Sequence, residues 1–362
     1  MSEALDRFLG ERVERGEIPG AAYAVAGDAG ILDEGSAGLA VAVPERVAAS
    51  PDTIYDLASL TKPLATSFLY LLLREELSLP PGMPVRRLIP ELDRMDKRGI
   101  LLEHLLTHTS GLPDWIPFYL RGSTLDEYLS QLTDRPLEAP PGGRVIYSCA
   151  GYITLAAVLQ RAATEGLQLL ADRFIIRPLG LRDTGFLPPG EKLGRVAATE
   201  DSCEYERTMA GKPAEGYGGF RKGVIRGEVH DQNAWVLGGV SGNAGLFSTA
   251  RETALLALEY LGAGRGLLDG QALDLARTDR TPGREEARSF AFRLNLRGET
   301  AGGPDLSPRA FGHNGFTGTS VWIDPVPRRV HVLLTNRVHP AVSDKVDMLA
   351  LRRRFHSIAS AL

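Results

Sequence analysis

The sequence predicts an α/β (α+β) protein: an antiparallel β-sheet flanked by N- and C-terminal helices, with a mostly helical domain inserted into it. Three observations predict this. Strand-like runs lie near the start, at 21–26 and 31–35. Strand-like runs return only late, at 311–324 and 329–335. Between about 63 and 224 the apolar residues recur at helical spacing. Strands at both ends with helices between them read as one sheet built from both halves of the chain. The expected boundaries are 1–62 with 225–362 for the sheet domain and 63–224 for the helical domain, with the active site at their junction.

In chain order, residues 3–15 read as an amphipathic helix with Leu5, Phe8, Leu9 and Val13 inward. Pro19-Gly20 breaks it, and the apolar run 21–26 follows as a buried strand. Gly27-Asp28-Ala29-Gly30 reads as a hairpin turn into a second strand. A helix is expected to begin near Ser59, because Pro63 is tolerated only in a first turn, and to continue over 64–77 through Leu64, Phe68, Leu71 and Leu72. Further helices are expected at 101–108, 124–132, 152–163 and 167–176, the last stopped by Pro178. Thr124 and Glu127 have the spacing of a capping box. Pro140-Pro141-Gly142-Gly143 is a turn that delivers Tyr147. Residues 187–232, rich in Gly, Pro and charge, read as long loops bordering a pocket. Runs 311–324 and 329–335 read as a hairpin, and 342–360 as a final helix.

Composition excludes several classes. The 362 residues are 43% hydrophobic and 24% charged, as in a globular protein with a buried core. The net charge of −4 gives no bulk attraction to nucleic acid or an anionic membrane. No apolar run is long enough to span a bilayer. The N-terminal Met1-Ser2-Glu3-Ala4-Leu5-Asp6-Arg7-Phe8 lacks the apolar core of a signal peptide. Two cysteines, Cys149 and Cys203, make no disulfide framework and fit a reducing compartment. A soluble cytoplasmic protein is expected.

The stretch with chemistry in it is Ser59-Leu60-Thr61-Lys62. A serine hydroxyl is a weak nucleophile at neutral pH and needs a base within hydrogen-bond reach. Residues three apart share a helix face, so Lys62 can supply that base. A lysine in a dry pocket beside another cation gives up its proton near neutrality. Ser59 at a helix start would also meet the positive end of the dipole, which favours an oxyanion. A lone Ser-x-x-Lys also arises by chance on surface helices, so two further candidates matter. In Tyr147-Ser148-Cys149, an extended backbone would turn Tyr147 and Cys149 to one side, and a tyrosine beside a lysine can shuttle a proton. Alternatively, Tyr147 is a packed aromatic after a Pro-Gly turn. In Gly312-His313-Asn314-Gly315-Phe316-Thr317-Gly318, glycines within a strand pattern mark close approach of another backbone or a ligand, or simply a bulge. His104 and His108 stand at a chelating spacing without a third ligand or an H-E-x-x-H pattern. His230-Asp231, ahead of the glycine-rich 238–245, could form a pocket wall. No G-x-S-x-G occurs, which argues against an α/β-hydrolase.

Taken in order, Ser59-x-x-Lys62, Tyr147-x-Cys149 and His313-Asn314-Gly315 resemble the three motifs of the penicillin-recognising serine hydrolases, Ser-x-x-Lys, Tyr-x-Asn and Lys-Thr-Gly. The sequence looks most like the class C β-lactamase-related branch, which includes esterases and D-amino-acid peptidases. Ile18-Pro19-Gly20, Leu105–Pro113, Pro140–Ser148, Arg177–Phe186 and Gly312–Ser320 are all similar to family stretches, so the likeness spans nearly the whole chain. It implies the β-lactamase/DD-peptidase-like fold, with Ser59 as nucleophile, Lys62 as its base and Tyr147 relaying a proton to or from the leaving group. It further implies an oxyanion hole from the backbone N–H groups of Ser59 and Phe316. The segment around His104 and His108 then becomes a scaffold turn, with no metal and no cofactor. Two positions depart from the pattern. Cys149 replaces the usual Asn or Asp, and His313 replaces the lysine of β-lactamases, as is common in the esterase-like branch. Both weaken the grip on an amide-bearing anionic substrate. The expected substrate is a small-molecule ester or amide, with short uncharged acyl esters preferred and β-lactamase activity weak or absent. β-Lactamase or D-amino-acid peptidase activity is the alternative. A catalytically silent binding or assembly protein on this scaffold tends to have lost the serine or the lysine, and here both remain.

Overall fold

The computed structural model describes residues 3–343 and 346–362. Helix α1 (Glu3–Glu14) leads into β1 (Gly20–Gly27), β2 (Gly30–Val41) and the short β3 (Val47–Ala48). Strand β4 (Tyr55–Asp56) precedes a helical run that starts as a 3-10 turn at Ala58–Leu60, widens to a π turn at Lys62–Thr66 and becomes α2 (Ser67–Leu73). The middle of the chain carries α3 (Leu102–Leu106), α4 (Leu125–Leu132), α5 (Cys149–Ala163), α6 (Leu167–Ala171) and α7 (Arg177–Leu179). Next come β5 (Gly185–Phe186), β6 (Ala198–Asp201), α8 (Glu204–Ala210), β7 (Val224–Arg226), α9 (Gln232–Val236) and β8 (Leu246–Ser248). The chain closes with α10 (Ala250–Leu261), α11 (Gly270–Arg277), β9 (Arg293–Leu294), β10 (Phe311–Asn314), β11 (Ser320–Asp324), β12 (Arg329–Thr335) and α12 (Met348–Ala359).

Seven strands form the main sheet in the order β3-β2-β1-β12-β11-β10-β9. Every neighbouring pair is antiparallel. Its centre joins the two ends of the chain, with Ala21 of β1 opposite Thr335 of β12 and Gly27 opposite Arg329. The sheet is covered on both faces, which is why 21–26 reads as an unbroken apolar run and not an alternation. Ala22, Ala24 and Ala26 face a large core that continues into the helical segment, and α10 packs on this side. Ala21, Tyr23 and Val25 face a second core made with Leu5 and Leu9 of α1 and Leu351 and Phe355 of α12. Small alanines toward α10 let that helix lie close to the sheet.

The antiparallel sheet with flanking terminal helices and an intervening helical stretch matches the expected architecture. Several local expectations do not. The helix expected over 64–77 ends at Leu73 and is not α-helical at its start. Pro63 has no N–H to offer the Ser59 carbonyl, and the turn opens so that the Ser67 N–H reaches the Lys62 carbonyl. The run expected to stop before Pro178 continues through it to Leu179: it widens to a π turn at Asp172–Ile176 just before the proline, and Gly180 in the left-handed region ends it. Residues 311–324 are two strands around a tight turn. The stretch 187–232 is not simply loop: it holds α8 and the β6–β7 pair. The last helix begins at Met348, and residues 344–345 of the expected span lie outside the described residues, as do Met1 and Ser2. The Thr124–Glu127 capping box is present, with each partner's side chain meeting the other's backbone N–H. Among the described residues no helix is long and apolar enough to cross a membrane.

Candidate active site

Ser59 sits in the 3-10 turn that opens the α2 run, and its loop is pinned from several sides. Ala58 takes a left-handed φ of 48°. The buried Asp56 carboxylate accepts the Ala58 N–H at 2.8 Å and the His230 N–H at 2.7 Å. Thr61 Oγ1 donates to the Ala58 carbonyl at 2.7 Å and accepts from the Leu246 N–H at 3.0 Å. A strained residue held by this many bonds fixes the direction of its neighbour's side chain.

One turn on, the fully buried Lys62 places Nζ 3.0 Å from Ser59 Oγ. Nζ also donates to the Asn243 carbonyl at 3.0 Å and reaches Cys149 Sγ at 3.5 Å. It stands 5.0 Å from the centre of the Tyr147 ring. Burial is the largest influence on this amine and favours its neutral form. Cys149, Tyr147 and Asp231 pull the other way and together outweigh it, so the amine's pKa lies above the ordinary lysine range. Burial, however, pushes the Cys149 thiol above its ordinary value, so that partner is uncharged in neutral solution. The charge on Lys62 therefore depends on the protonation of the group beside it.

Tyr147 is delivered by the segment before α5, and His108 is what holds that segment. The His108 carbonyl accepts the Ile146 N–H at 2.8 Å. His108 Nδ1 accepts the Ser148 N–H at 2.9 Å. The imidazole also lies against the Tyr147 ring, with centroids 4.5 Å apart. Burial drives its pKa well below the usual histidine range, so it remains a neutral acceptor. His104 is engaged elsewhere, its Nδ1 accepting the Leu101 N–H. Tyr147 and Cys149 do not continue one extended strand. Ser148 is extended and caps α5, accepting the Gly151 N–H at 2.9 Å, and Cys149 is the first residue of that helix. Both nevertheless face Lys62.

The third candidate segment forms the turn between β10 and β11, docked on the Ser59 loop. Thr317 Oγ1 donates to the Asp56 carbonyl at 2.8 Å and Thr319 Oγ1 to the Leu57 carbonyl at 3.0 Å. Gly315 is needed for this approach, since a Cβ there would lie 2.6 Å from the Leu57 carbonyl oxygen and collide with Thr319 Oγ1. His313 Nδ1 lies 2.9 Å from the Asn314 carbonyl, which only accepts, so Nδ1 carries the proton and Nε2 is an acceptor. Burial, then Lys62 and Arg288, depress its pKa well below the histidine range. Asn314 turns its side chain to Ser320 Oγ at 3.1 Å.

A cavity of about 650 Å³ opens on Ser59. Tyr147, Cys149, His313, Asn314, Gly315 and Phe316 all line it. The wall foreseen at His230-Asp231 is there, beside Glu206. Burial and Asp231 push the Glu206 carboxyl up to about 7. Opposite charge comes from Arg288, Arg293, Arg337 and Arg352. Sequence reasoning missed these arginines and Asn243. The arginines are scattered in the chain without a motif, and Asn243 meets Lys62 through a backbone carbonyl, which no side-chain pattern encodes.

The comparisons with known proteins follow this geometry. The family profile described as Beta-lactamase matches residues 5–353. A putative D-alanyl-D-alanine carboxypeptidase of Escherichia coli (strain K12) is 31% identical over 371 residues, covering 94% of this chain and 83% of that protein. Among solved structures, EstCE1, a hydrolase with promiscuous acyltransferase activity, superposes with a TM-score of 0.75 at 21% identity over 98% of this chain and 97% of its own. A penicillin-binding protein homologue from Caulobacter crescentus gives a TM-score of 0.74 at 20% identity, over 99% and 96% of the two chains.

Proposed function

The chain belongs to the β-lactamase family of serine hydrolases, and from that premise we propose that it is an esterase working through an acyl-enzyme on Ser59, with weak or absent β-lactamase activity. The observation that carries the reading is the 3.0 Å separation of Lys62 Nζ and Ser59 Oγ in a buried setting. Lys62 takes the hydroxyl proton as Oγ bonds to the ester carbonyl carbon. The carbonyl oxygen becomes an oxyanion facing the backbone N–H groups of Ser59 and Phe316. As the tetrahedral adduct collapses, the alkoxide leaves with a proton passed through Tyr147, and water then releases the acyl group by the reverse sequence. The preference for esters rests on Cys149 and His313. A thiol is a poor substitute for a carboxamide, and a neutral imidazole presenting Nε2 as an acceptor does not grip a carboxylate. Alkoxides also depart more readily than amines.

One observation favours a second reading, a peptidase releasing a D-amino acid. Four arginines line the cavity, and an anionic leaving group would meet them. The carboxypeptidase name of the Escherichia coli relative agrees with it. The test is kcat/KM for short p-nitrophenyl esters, a chromogenic cephalosporin and D-alanyl-D-alanine peptides on the same preparation. Ester turnover highest is expected. Peptide or cephalosporin turnover above it would overturn the esterase assignment. Fluorophosphonate labelling that persists in Ser59→Ala would overturn the nucleophile itself.

A further inference from the structure

The peptide unit that carries the Phe316 N–H has its carbonyl on Gly315, and that carbonyl is held from behind. Arg352 of α12 donates from Nη2 to the Gly315 oxygen at 2.7 Å and to the Thr319 oxygen at 3.1 Å. Next to it, Arg337 donates from Nε to the Phe316 oxygen at 2.9 Å and lies over the Phe316 ring at 4.8 Å. Among the described residues Arg352 has no carboxylate within ion-pairing distance, and its Nε is buried without a hydrogen-bond partner. A guanidinium in that setting is costly, since burial without a counter-ion disfavours the charge. Burial and Arg337 pull its pKa down to about 9, which still leaves it cationic in neutral solution. A hydrogen bond from a cation to a carbonyl polarises the whole peptide unit and strengthens its N–H as a donor.

We propose that Arg352 is a positioning residue for the oxyanion hole: it grips and polarises the Gly315–Phe316 peptide, so that the Phe316 N–H is aimed and strengthened as a donor to the oxyanion. The inference rests on the acyl-enzyme reading of Ser59. Nη2 holds the carbonyl end of the peptide while Arg352 also borders the cavity, and toward an uncharged ester its effect grows as negative charge develops on the substrate oxygen. It therefore raises kcat without tightening the ground-state complex. Removing an oxyanion donor outright costs about 10²–10³-fold in kcat, and losing its polarisation a smaller share, about 10-fold.

The experiment compares Arg352→Lys, which keeps a cation with N–H donors on a single nitrogen, with Arg352→Met, which keeps an unbranched apolar chain alone. Each is measured for kcat and KM on a p-nitrophenyl ester, inhibition by a boronic acid that becomes a tetrahedral anion on the serine, and Tm. In Arg352→Met, kcat and boronate affinity should both fall about 10-fold with KM unchanged, and Arg352→Lys should recover most of both. Wild-type kcat and boronate affinity in Arg352→Met would overturn the inference. So would a loss of kcat in which boronate affinity does not follow, or which the lysine does not recover, because a merely structural role predicts that pattern. Failure of fluorophosphonate to label Ser59 in the wild-type enzyme would instead overturn the reading beneath it.

Discussion

The Cys149 Sγ stands 3.5 Å from Lys62 Nζ, within the same shell as the 3.0 Å contact to Ser59. Cys149 opens α5, so a residue there projects toward Lys62, the proposed base for Ser59. An asparagine would offer both a donor and an acceptor where the thiol offers little of either. Cys149→Asn is expected to raise the ratio of cephalosporin to ester turnover about 10-fold, on the order of one recovered hydrogen bond. The check is kcat/KM for both substrates on both proteins, and an unchanged ratio would remove Cys149 from substrate choice.

Lys62 acts as a base only when neutral, and a guanidinium does not lose its proton. Lys62→Arg should therefore be nearly as damaging as Lys62→Ala, each losing about 10²–10⁴-fold in kcat/KM. An arginine variant close to wild type would make Lys62 a fixed positive charge and not a proton acceptor.

Glu206 gives a pH test with a definite sign. Its folded-state pKa of about 7 lies above the ordinary 4.5, so the folded chain holds a proton that the unfolded chain releases. Stability is therefore untouched below about 4.5, falls between about 4.5 and 7, and stays reduced above that. Glu206→Gln should keep an acceptor for the Gln232 N–H, while its amide N–H faces the Tyr119 hydroxyl oxygen as a donor. Its Tm should exceed the wild-type value at pH 8 and equal it near pH 4. A Tm gain of equal size at both pH values would show that ionisation is not the cause.

Gly315→Ala tests the docking of the β10–β11 turn on the Ser59 loop. The added Cβ meets the Leu57 carbonyl at 2.6 Å, which is backbone and cannot swing aside. Separation of the two loops by even 1 Å is expected to lower kcat by about 10²-fold. The overpacking should cost about 1–3 kcal/mol of stability, read from denaturant unfolding. Retained activity would mean that Phe316 does not act where Ser59 does.

The chemistry was more legible than the geometry. Ser59 and Lys62 are joined by a short spacing that any helical turn brings together, so the 3-10 and π character of that turn did not disturb the pairing. Tyr147 was a candidate from its residue type with a packed aromatic as the alternative, Phe316 entered through resemblance, and the bonds that seat them come from His108, Thr317 and Thr319. Those contacts pair residues far apart in sequence, which periodicity does not report. The helix bounds were misplaced at prolines: Pro63, read as marking an α-helix start, sits in a π turn, and Pro178, read as a stop, lies inside the run. The 187–232 stretch hid α8 and the β6–β7 pair because elements of three to seven residues are too short to establish a period.

The pairing of β1 with β12 also sets how much chain the sheet needs before it can close. During synthesis the β1–β2 hairpin emerges early, yet its inner edge stays open until the ribosome has passed residue 335. Contacts across nearly the full chain make folding slow, and an open strand edge is the feature that invites association with other chains. The Ser59 loop is held by bonds from His230, Leu246, Thr317 and Thr319, so a chain cut short before these residues carries Ser59 without the contacts that set it and without the Phe316 turn proposed to face it. On the proposed acyl-enzyme route, hydrolysis therefore requires the chain through residue 335.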